Sequence, residues 1–293
     1  MLRLVLPKGS LEAATLALFA EADLAVRRSS EVDYRATIDD NRIAEVRLLR
    51  PQEIPRYVAD GLFDLGITGR DWIEEQGVEL VSLGPLSYSK ASSQPVRIVL
   101  AVADASPATS LADLAAQRRP LRVATEYPEL TRRALAEAGI EAEISLSYGA
   151  TEAKVPDIAD CVVELTETGR ALRAAGLRAI HTLLVSHTEL VANPDAAADP
   201  RRRRAMDQLY TLLLGTLEAR EKVLVKLNVS AERRAAVIER LPSLRSPTVS
   251  ELAGGGFAVE TVVHKDQINT LIPELKELGA SDILELALAK IVH

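Results

Sequence analysis

One segment near the middle of the chain most constrains the fold, because it passes from a strand pattern through a polar turn into a helix pattern. Residues 161–163 form an apolar run typical of a buried strand, and Glu164 stands near its carboxyl end. The turn of residues 166–169, Thr-Glu-Thr-Gly, follows, and Arg170 opens a helical pattern that ends before Gly176. A strand that leads into a helix in this way is the repeating unit of an α/β sheet.

The composition of this turn predicts an anion site. Backbone N–H groups at a helix start point toward one spot, and the hydroxyls of Thr166 and Thr168 add donors. Gly169 has no Cβ, so the backbone can approach an anion closely. The neighbouring carboxylates would repel a bare phosphate and fit better beside sugar hydroxyls or a magnesium ion. We therefore expect a phosphorylated, hydroxyl-bearing ligand, although the same pattern also occurs in ordinary strand-to-helix connections.

Three strand patterns in the first 70 residues also end in polar or glycine-containing turns. They cover residues 2–6, 46–50 and 63–69, and the first two end at Lys8 and Arg50. Ligands of open α/β sheets lie at the carboxyl ends of the strands. The pattern therefore predicts a parallel layer with Lys8 and Arg50 at its ligand crevice.

The next strand patterns build a second lobe and then return to the first. They are short apolar runs at residues 96–102, 121–125 and 144–146. The alternating run of residues 179–191 is predicted to be one strand that leads back to the first lobe. This layout is typical of a two-lobed binding fold, with the ligand between the lobes. We place the first lobe at residues 1–90, completed by about 180–215, and the second at 91–179.

The final part of the chain follows the order βαββαβ. Strand patterns cover residues 222–229, 246–252, 257–264 and 283–291, and helical patterns cover residues 231–241 and 266–278. This order is the ferredoxin-like plan. We interpret residues 221–293 as a separate regulatory or assembly domain.

Composition excludes several classes of function. The net charge of −7 argues against nucleic-acid binding, so the four arginines of residues 201–204 are interpreted as the solvated start of a helix. The single cysteine, Cys161, lies in an apolar strand, which indicates a reducing compartment and a buried side chain, not a nucleophile. No apolar run approaches the roughly 20 residues of a membrane span, and residues 1–7 are too short an apolar run for a secretory signal. We predict a cytoplasmic protein without membrane or nucleic-acid partners.

Several segments together resemble the long form of ATP phosphoribosyltransferase, the family that opens histidine biosynthesis. They are residues 7–11, 49–51, 64–69, 124–128, 164–169, 246–248 and 274–281. The resemblance covers essentially the whole chain. It implies an α/β catalytic core similar to bilobal periplasmic binding proteins, followed by a C-terminal ACT-like domain.

The resemblance also implies a reaction. N1 of the ATP adenine would attack the anomeric carbon of 5-phosphoribosyl 1-diphosphate (PRPP), giving N1-(5-phosphoribosyl)-ATP and pyrophosphate. Mg²⁺ would accompany the phosphates, through ligands that the sequence does not identify. Homo-oligomers from dimer to hexamer are implied, and so is inhibition by histidine bound to the C-terminal domain. Because the adenine nitrogen is a neutral nucleophile, the reaction needs substrate positioning and neutralisation of the leaving group rather than a strong base.

Site residues follow from the matched segments. Lys8, Arg50 and Glu164 are the predicted catalytic residues, with the two cations facing the pyrophosphate or the ATP phosphates and Glu164 facing the ribose hydroxyls. The predicted substrate-binding residues are Gly9, Asp64, Gly66, Gly69, Tyr127, Asp160, Thr166, Glu167, Thr168, Gly169, Arg170 and Ala171. The predicted histidine contacts are Asn228, Leu244, Ser246, Thr248, Ala280 and Ser281.

Three positions depart from the family pattern. Ala171 stands where Thr is frequent, Glu164 where Asp is common, and Asn228 where an acidic residue can occur. Two other functions stay open: a binding module that senses a phosphorylated metabolite, and a weakly active subunit that regulates other chains. Basic residues on both sides of the crevice, Lys8 and Arg50 against Arg170, favour an enzyme with two polyanionic substrates.

Overall fold

The chain folds into two compact units in a computed structural model that describes residues 1–88, 95–117, 119–242 and 246–293. The first unit comprises residues 1–20 and 24–210, and the second comprises residues 21–23 and 211–293. No helix in these described ranges is long and apolar enough to cross a membrane.

The first unit is built from two β-sheets and a set of mostly short helices. Its strands are β1 (Leu2–Pro7), β2 (Val26–Arg27), β3 (Arg35–Ile38), β4 (Ile43–Leu49), β5 (Leu65–Gly69), β6 (Val81–Leu86), β7 (Val96–Ala103), β8 (Leu121–Thr125), β9 (Ala142–Leu146), β10 (Cys161–Thr166), β11 (Leu177–Ser186) and β12 (Thr188–Ala192). The helices are α1 (Glu12–Glu21), α2 (Ile54–Ala59), α3 (Arg70–Gln76), α4 (Leu111–Ala115), α5 (Pro128–Glu137), α6 (Arg170–Ala174), α7 (Pro194–Ala198) and α8 (Pro200–Arg220), which continues into the second unit. A 3₁₀ helix covers Thr151–Lys154.

The strand order confirms the predicted bilobal α/β core. A seven-stranded sheet has the order β2-β3-β4-β1-β5-β12-β6, and a five-stranded sheet has the order β11-β7-β10-β8-β9. The chain therefore leaves the first sheet after β6 and returns to it at β12. Strands β1, β4 and β5 run parallel, as do β8, β9 and β10. Each sheet thus gathers the carboxyl ends of three strands at one edge, where the predicted turns lie.

The single strand predicted at residues 179–191 is wrong. It is two strands in different sheets, β11 and β12, separated by His187. β12 is buried along its whole length between β5 and β6, whereas β11 is the outer strand of its sheet and alternates in exposure. Both have strand-forming composition, so a break of one residue leaves no trace in the apolar pattern.

Two other boundaries differ from the prediction for local reasons. β10 is three residues longer than expected, because its pairing with β7 continues to Thr166 opposite Arg97. The helix expected directly after Pro51 begins at Ile54, with Pro55 in its first turn, where a missing N–H is tolerated.

The core of the second sheet consists of aliphatic side chains, as the low aromatic content requires. Leu100, Val123 and Val163 are fully or almost fully buried in one cluster, and each such burial stabilises the fold by roughly 1.5–3 kcal/mol. Cys161 belongs to the same cluster, and burial raises the pKa of its thiol to about 12. The thiol is therefore a small apolar group of the core, as predicted.

The second unit has the predicted ferredoxin-like order. Its elements after α8 are β13 (Lys222–Val229), α9 (Arg234–Arg240), β14 (Thr248–Glu251), β15 (Phe257–His264), α10 (Lys265–Glu277) and β16 (Ser281–Ala287). The sheet has the order β14-β15-β13-β16, with antiparallel neighbours throughout. Val223, Val225 and Leu227 line the buried face of β13, where Val237 of α9 and Leu271 of α10 join the same cluster. The last strand starts and ends earlier than predicted, since residues 281–287 are the part that pairs with β13.

Candidate active site

The first half of the site lies at the carboxyl ends of β1 and β4. The Lys8 N–H donates to the carbonyl of Leu49 at 2.7 Å, so Lys8 stands beside the end of the neighbouring strand. Gly9 has a φ of +101°, and a Cβ there would lie 3.5 Å from Nη1 of Arg50. The structure thus brings Lys8, Gly9 and Arg50 together at one edge of the first sheet. The Lys8 Nζ lies 4.2 Å from the centre of the Tyr34 ring.

The two glycines of β5 have different surroundings. A Cβ on Gly66 would lie within 3.0 Å of Val58, Ile54 and Val5, so this glycine lets α2 pack closely against the sheet. Gly69 ends β5, caps α3 and lines a cavity. The geometry therefore accounts for Gly66 by packing and places Gly69 alone at the crevice.

The second half of the site is the turn between β10 and α6. The Thr166 hydroxyl accepts the N–H of Gly169 at 2.9 Å, and the Thr168 hydroxyl accepts the N–H of Arg170 at 3.4 Å. Gly169 adopts φ +73° and caps α6. Each hydroxyl therefore accepts one backbone N–H of the turn and keeps its own proton as a hydrogen-bond donor, with Thr166 only 7% exposed.

Arg173 is a further residue at this turn that the sequence did not predict. Its Nη2 donates to the carbonyl of Thr168 at 3.0 Å, and its Nη1 would lie 2.6 Å from a Cβ on Gly169. The guanidinium therefore lies over the turn, beside exposed Arg170 and Ala171. The signal was its spacing, since residues four apart on a helix share a face.

Glu164 lies on the same face of β10 as Thr166, among other carboxylates. Burial raises its pKa, the charges of Glu126 and Glu152 raise it further, and a hydrogen bond with Thr151 opposes them. Burial also raises the pKa of Glu126. This cluster of negative charge near the turn would be relieved by bound sugar hydroxyls or a cation.

A cavity of about 530 Å³ lies between the two lobes, lined by Gly69 and by sequence neighbours of the other predicted site residues rather than by Lys8, Arg50 or Glu164 themselves. Ser10, Leu11 and Pro51 line it in the first lobe, and Leu165 lines it in the second, on the opposite face of β10 from Glu164 and Thr166. Most of its other walls are apolar or aromatic: Trp72, Pro85, Leu86, Tyr88, Pro95 and Val96, with Gly69, Asp71, Ser87, Ser186, His187 and Thr188 completing it. The crevice predicted between the lobes is therefore present, and groups of both lobes reach it.

Tyr127 lies behind this cavity. Its side chain is only 2% exposed and its hydroxyl donates to Asp71 Oδ2 at 2.9 Å. Its ring lies 4.6 Å from that of Trp72, centre to centre. Burial raises the pKa of Tyr127 well above its usual value, and the charge of Asp71 adds to this. Tyr127 therefore does not line the cavity itself but contacts two residues that do, Asp71 and Trp72.

The structure does not bring Asp64 and Asp160 to the site. Asp64 precedes β5 and accepts hydrogen bonds from the backbone and guanidinium of Arg3, while Arg202 also contacts it at 3.1 Å. Asp160 precedes β10 and is held by Arg119 at 2.7 Å and Arg122 at 2.9 Å. Hydrogen bonds from these arginines hold the pKa of Asp160 well below its usual range. Both carboxylates lie at the amino ends of the strands, a full strand length from the crevice.

The predicted histidine contacts fall into two groups in the second unit. Ser246 and Thr248 line a cavity of about 320 Å³ with Glu260 and Thr261. Asn228 and Ser281 both donate to Asp282, at 3.0 and 3.3 Å, and buried Ala280 directly precedes Ser281. Thr248 stands on β14, whereas Asn228 stands on β13 and Ser281 on β16; β14 and β16 are the two edges of the sheet, roughly 14 Å apart at the usual strand spacing. Leu244 lies outside the described residues.

Comparison with known families shows to which family the chain belongs. A family model described as ATP phosphoribosyltransferase matches residues 50–215, and a model of the HisG C-terminal domain matches residues 219–290. The chain belongs to the ATP phosphoribosyltransferase family. The first model begins at Arg50 and includes the turn after β10, and the second covers the ferredoxin-like domain.

Individual ATP phosphoribosyltransferases are similar over the whole chain. The protein from Nitratidesulfovibrio vulgaris (strain DP4) is 46% identical over 293 residues, covering 99% of this chain and 98% of its own. The one from Desulforudis audaxviator is 45% identical over 292 residues, covering 99% of both. A chain from the ATP phosphoribosyl transferase (HisG:HisZ) complex of Thermotoga maritima superimposes with a TM-score of 0.62 and 25% identity, over 74% of this chain and 99% of its own.

Proposed function

We propose that this member of the family transfers the 5-phosphoribosyl group of PRPP to N1 of ATP, the first step of histidine biosynthesis. The observation that carries the proposal is that strand ends of opposite lobes bear anion-binding groups, Lys8 and Arg50 in the first lobe and the Thr166–Arg170 turn in the second, with a cavity between the lobes lined by neighbours of both. Two polyanionic substrates need hydrogen-bond donors and cations on both sides of a crevice, and this geometry supports the binding of one substrate at each side.

PRPP is assigned to the turn of the second lobe. The hydroxyls of Thr166 and Thr168 and the guanidinium of Arg173 would hold the 5-phosphate, and Gly169, which has no Cβ, would let the phosphate come close to the turn. Glu164 would accept hydrogen bonds from the ribose hydroxyls. Its side chain is one methylene longer than the Asp common at this position, so the sugar would lie slightly farther from β10.

Lys8 and Arg50 are assigned to the leaving group. Charge accumulates on the pyrophosphate as the bond to the anomeric carbon breaks, and fixed cations at the strand ends would stabilise it. The reaction needs no strong base, because the attacking adenine nitrogen carries a free lone pair. Positioning of that nitrogen against the sugar then contributes most of the remaining rate enhancement.

The adenine ring is assigned to the apolar cavity between the lobes. A planar base fits beside the Trp72 and Tyr88 side chains that line it. The ATP phosphates would extend toward the strand ends of the first lobe, where Lys8 lies.

Mg²⁺ fits the site as a partner of the substrate phosphates. Within the described ranges no group of three His, Cys, Asp or Glu side chains could hold an ion by itself. Mg²⁺ usually takes one or two carboxylates together with phosphates, and Glu164 with its neighbour Glu126 supplies that number. When bound, the ion would neutralise phosphate charge.

A pyrophosphate-release assay tests the reaction. Release should require both ATP and PRPP, and Arg50→Ala should lower it strongly. PRPP binding seen by calorimetry without any release would instead show a binding module. Release only after mixing with another subunit would show a regulatory chain.

Histidine inhibition and assembly form the second part of the proposal. Since Thr248 and Ser281 lie at opposite edges of one sheet, a histidine that contacts both groups needs two copies of the domain. We therefore infer that the chain forms at least dimers, up to the hexamers expected from the resemblance. Because its single cysteine is free and buried, we also infer that the protein acts in the cytoplasm. Bound histidine would favour a less active state of the catalytic unit.

The matching experiment fills the smaller cavity. Thr248→Trp should abolish inhibition by millimolar histidine without loss of basal activity, whereas Ser250→Trp, two residues along the same edge strand, should retain it. A wild-type enzyme that millimolar histidine does not inhibit would contradict the regulatory part alone.

A further inference from the structure

We propose that Asp71, Tyr127 and Ser186 form a positioning network that holds the Trp72 indole as a wall of the nucleotide cavity. The inference rests on the proposed function, because it assigns the base of ATP to this wall. None of the three network side chains needs to touch the substrate for this role.

Asp71 is the centre of the network. Its Oδ1 accepts the Ser186 hydroxyl at 2.6 Å, its Oδ2 accepts the Tyr127 hydroxyl at 2.9 Å, and its own N–H donates to Ser186 Oγ at 3.0 Å. The carboxylate therefore connects the start of α3 in the first lobe, the end of β11 and the residue before α5 in the second lobe. The three elements meet directly behind the cavity.

Trp72 receives its orientation from this network. The Tyr127 and Trp72 rings are 4.6 Å apart with an angle of 32° between their planes. Tyr127 is almost fully buried, so its ring can shift only if its hydroxyl leaves Asp71. Asp71, Trp72 and Ser186 all line the cavity, whereas Tyr127 supports Trp72 from behind.

The burial of a carboxylate here favours a positioning role over a stabilising one. Asp71 is 3% exposed, and burial raises its pKa. Apolar side chains of similar volume would fill such a space with no charge to desolvate. Hydrogen bonds differ from apolar contacts in being directional. The bond from the Tyr127 hydroxyl to Asp71 therefore restricts both the position and the orientation of the Tyr127 ring.

A second contact between the lobes provides the matched control. Glu75, on the same helix α3, accepts the N–H groups of Glu129 at 3.0 Å and Leu130 at 2.9 Å, and so caps α5 of the second lobe. It is also buried, but it does not line the cavity. Glu75→Gln therefore weakens the connection between the lobes without altering the network behind Trp72.

Trp72 is the only tryptophan of the chain, so its fluorescence reports directly on the cavity wall. We expect ATP to quench this emission in the wild-type protein. Tyr127→Phe removes one hydroxyl, and we expect it to raise the KM for ATP about tenfold, as for a lost hydrogen bond to a charged group. It should also reduce the quenching, with the KM for PRPP nearly unchanged. Glu75→Gln should lower the melting temperature but leave the ATP KM and the quenching unchanged.

Three results would overturn the network. The first is a Tyr127→Phe protein with wild-type ATP KM and quenching, and the second is an equal effect of Tyr127→Phe and Glu75→Gln on both readouts. The third is an active enzyme whose Trp72 emission does not change when ATP is added, a result that would leave the proposed function intact. Failure to release pyrophosphate from ATP and PRPP would refute the proposed function, and the fluorescence titration would still decide the network.

Discussion

Gly169→Ala tests the proposal that the Thr166–Arg170 turn binds the 5-phosphate of PRPP, with the smallest possible change of side chain. Gly169 adopts φ +73°, a left-handed conformation that raises the free energy of an alanine by roughly 1–2 kcal/mol. The new Cβ would also lie 2.6 Å from Nη1 of Arg173, so the guanidinium must move and lose its hydrogen bond to Thr168. That bond contributes about 1 kcal/mol.

The two effects together make the free energy of PRPP binding less favourable by about 2 kcal/mol, which corresponds to a roughly thirtyfold loss of affinity. The turn is half exposed and α6 has only five residues, so the free variant relaxes and PRPP must restore the strained turn. Calorimetric titration with PRPP should therefore show a dissociation constant about thirtyfold above the wild-type value. Circular dichroism should show an intact fold.

Gly176→Ala is the matched control at the other end of α6. Gly176 has nearly the same φ, +71°, but a Cβ there meets no atom within 4 Å. An alanine is disfavoured by the backbone conformation at both positions, but only Gly169→Ala alters the turn assigned to the 5-phosphate, so only this variant should weaken PRPP binding. Equal weakening in both variants, or PRPP affinity in Gly169→Ala within threefold of wild type (about 0.7 kcal/mol), would refute the assignment of this turn to the 5-phosphate.

Three further predictions address the other carboxylates and cations. Arg50→Ala should raise the activation barrier by about 2–4 kcal/mol, and so lower kcat, with a small change in KM. Steady-state kinetics that show only a raised KM would instead make Arg50 a binding residue. Asp160→Asn should reduce the free energy of unfolding at neutral pH by about 1–2 kcal/mol, a value discounted because both arginines are half exposed, with PRPP KM unchanged. Because the folded pKa of Asp160 is lowered, this difference should disappear as the pH falls through it in chemical denaturation. Since the pKa of Glu164 is raised, kcat/KM for PRPP should fall on the acid side at a pH above the ordinary glutamate value, and Glu164→Gln should remove that limb.

The strands and their turns could be predicted because their signals are local. Apolar runs that end in Gly, Pro or Thr placed Lys8, Arg50 and Gly169 at carboxyl strand ends, where the structure has them. Because ligands of open α/β sheets bind at that edge, these strand ends indicated a crevice, but not the order of the strands. The family resemblance added the reaction, which no local pattern contains.

Asp64 and Asp160 show where the local reasoning failed. Each directly precedes a strand, which puts it at the amino end, but its neighbourhood in the sequence suggested a site. Their arginine partners carried the missing signal, since Arg3 and Arg122 are the second residues of neighbouring parallel strands. The Asp71 network could not be read from sequence in the same way, because Ser186 is 115 residues from Asp71 and Tyr127 is 56 residues from it.

The pairing of these charges also explains how an acidic chain can bind two polyanions. At the amino edges of the sheets, Asp64 and Asp160 neutralise arginines of neighbouring strands. At the crevice, by contrast, none of the ion pairs within the described ranges includes Lys8, Arg50 or Arg170. A net charge of −7 is therefore compatible with cations that stay available at the crevice, beside the carboxylates of Glu164 and Glu126, because the potential that a substrate meets depends on nearby unpaired charge. The same arrangement would keep Lys8 and Arg50, which we propose to face the pyrophosphate, available when negative charge develops on the leaving group.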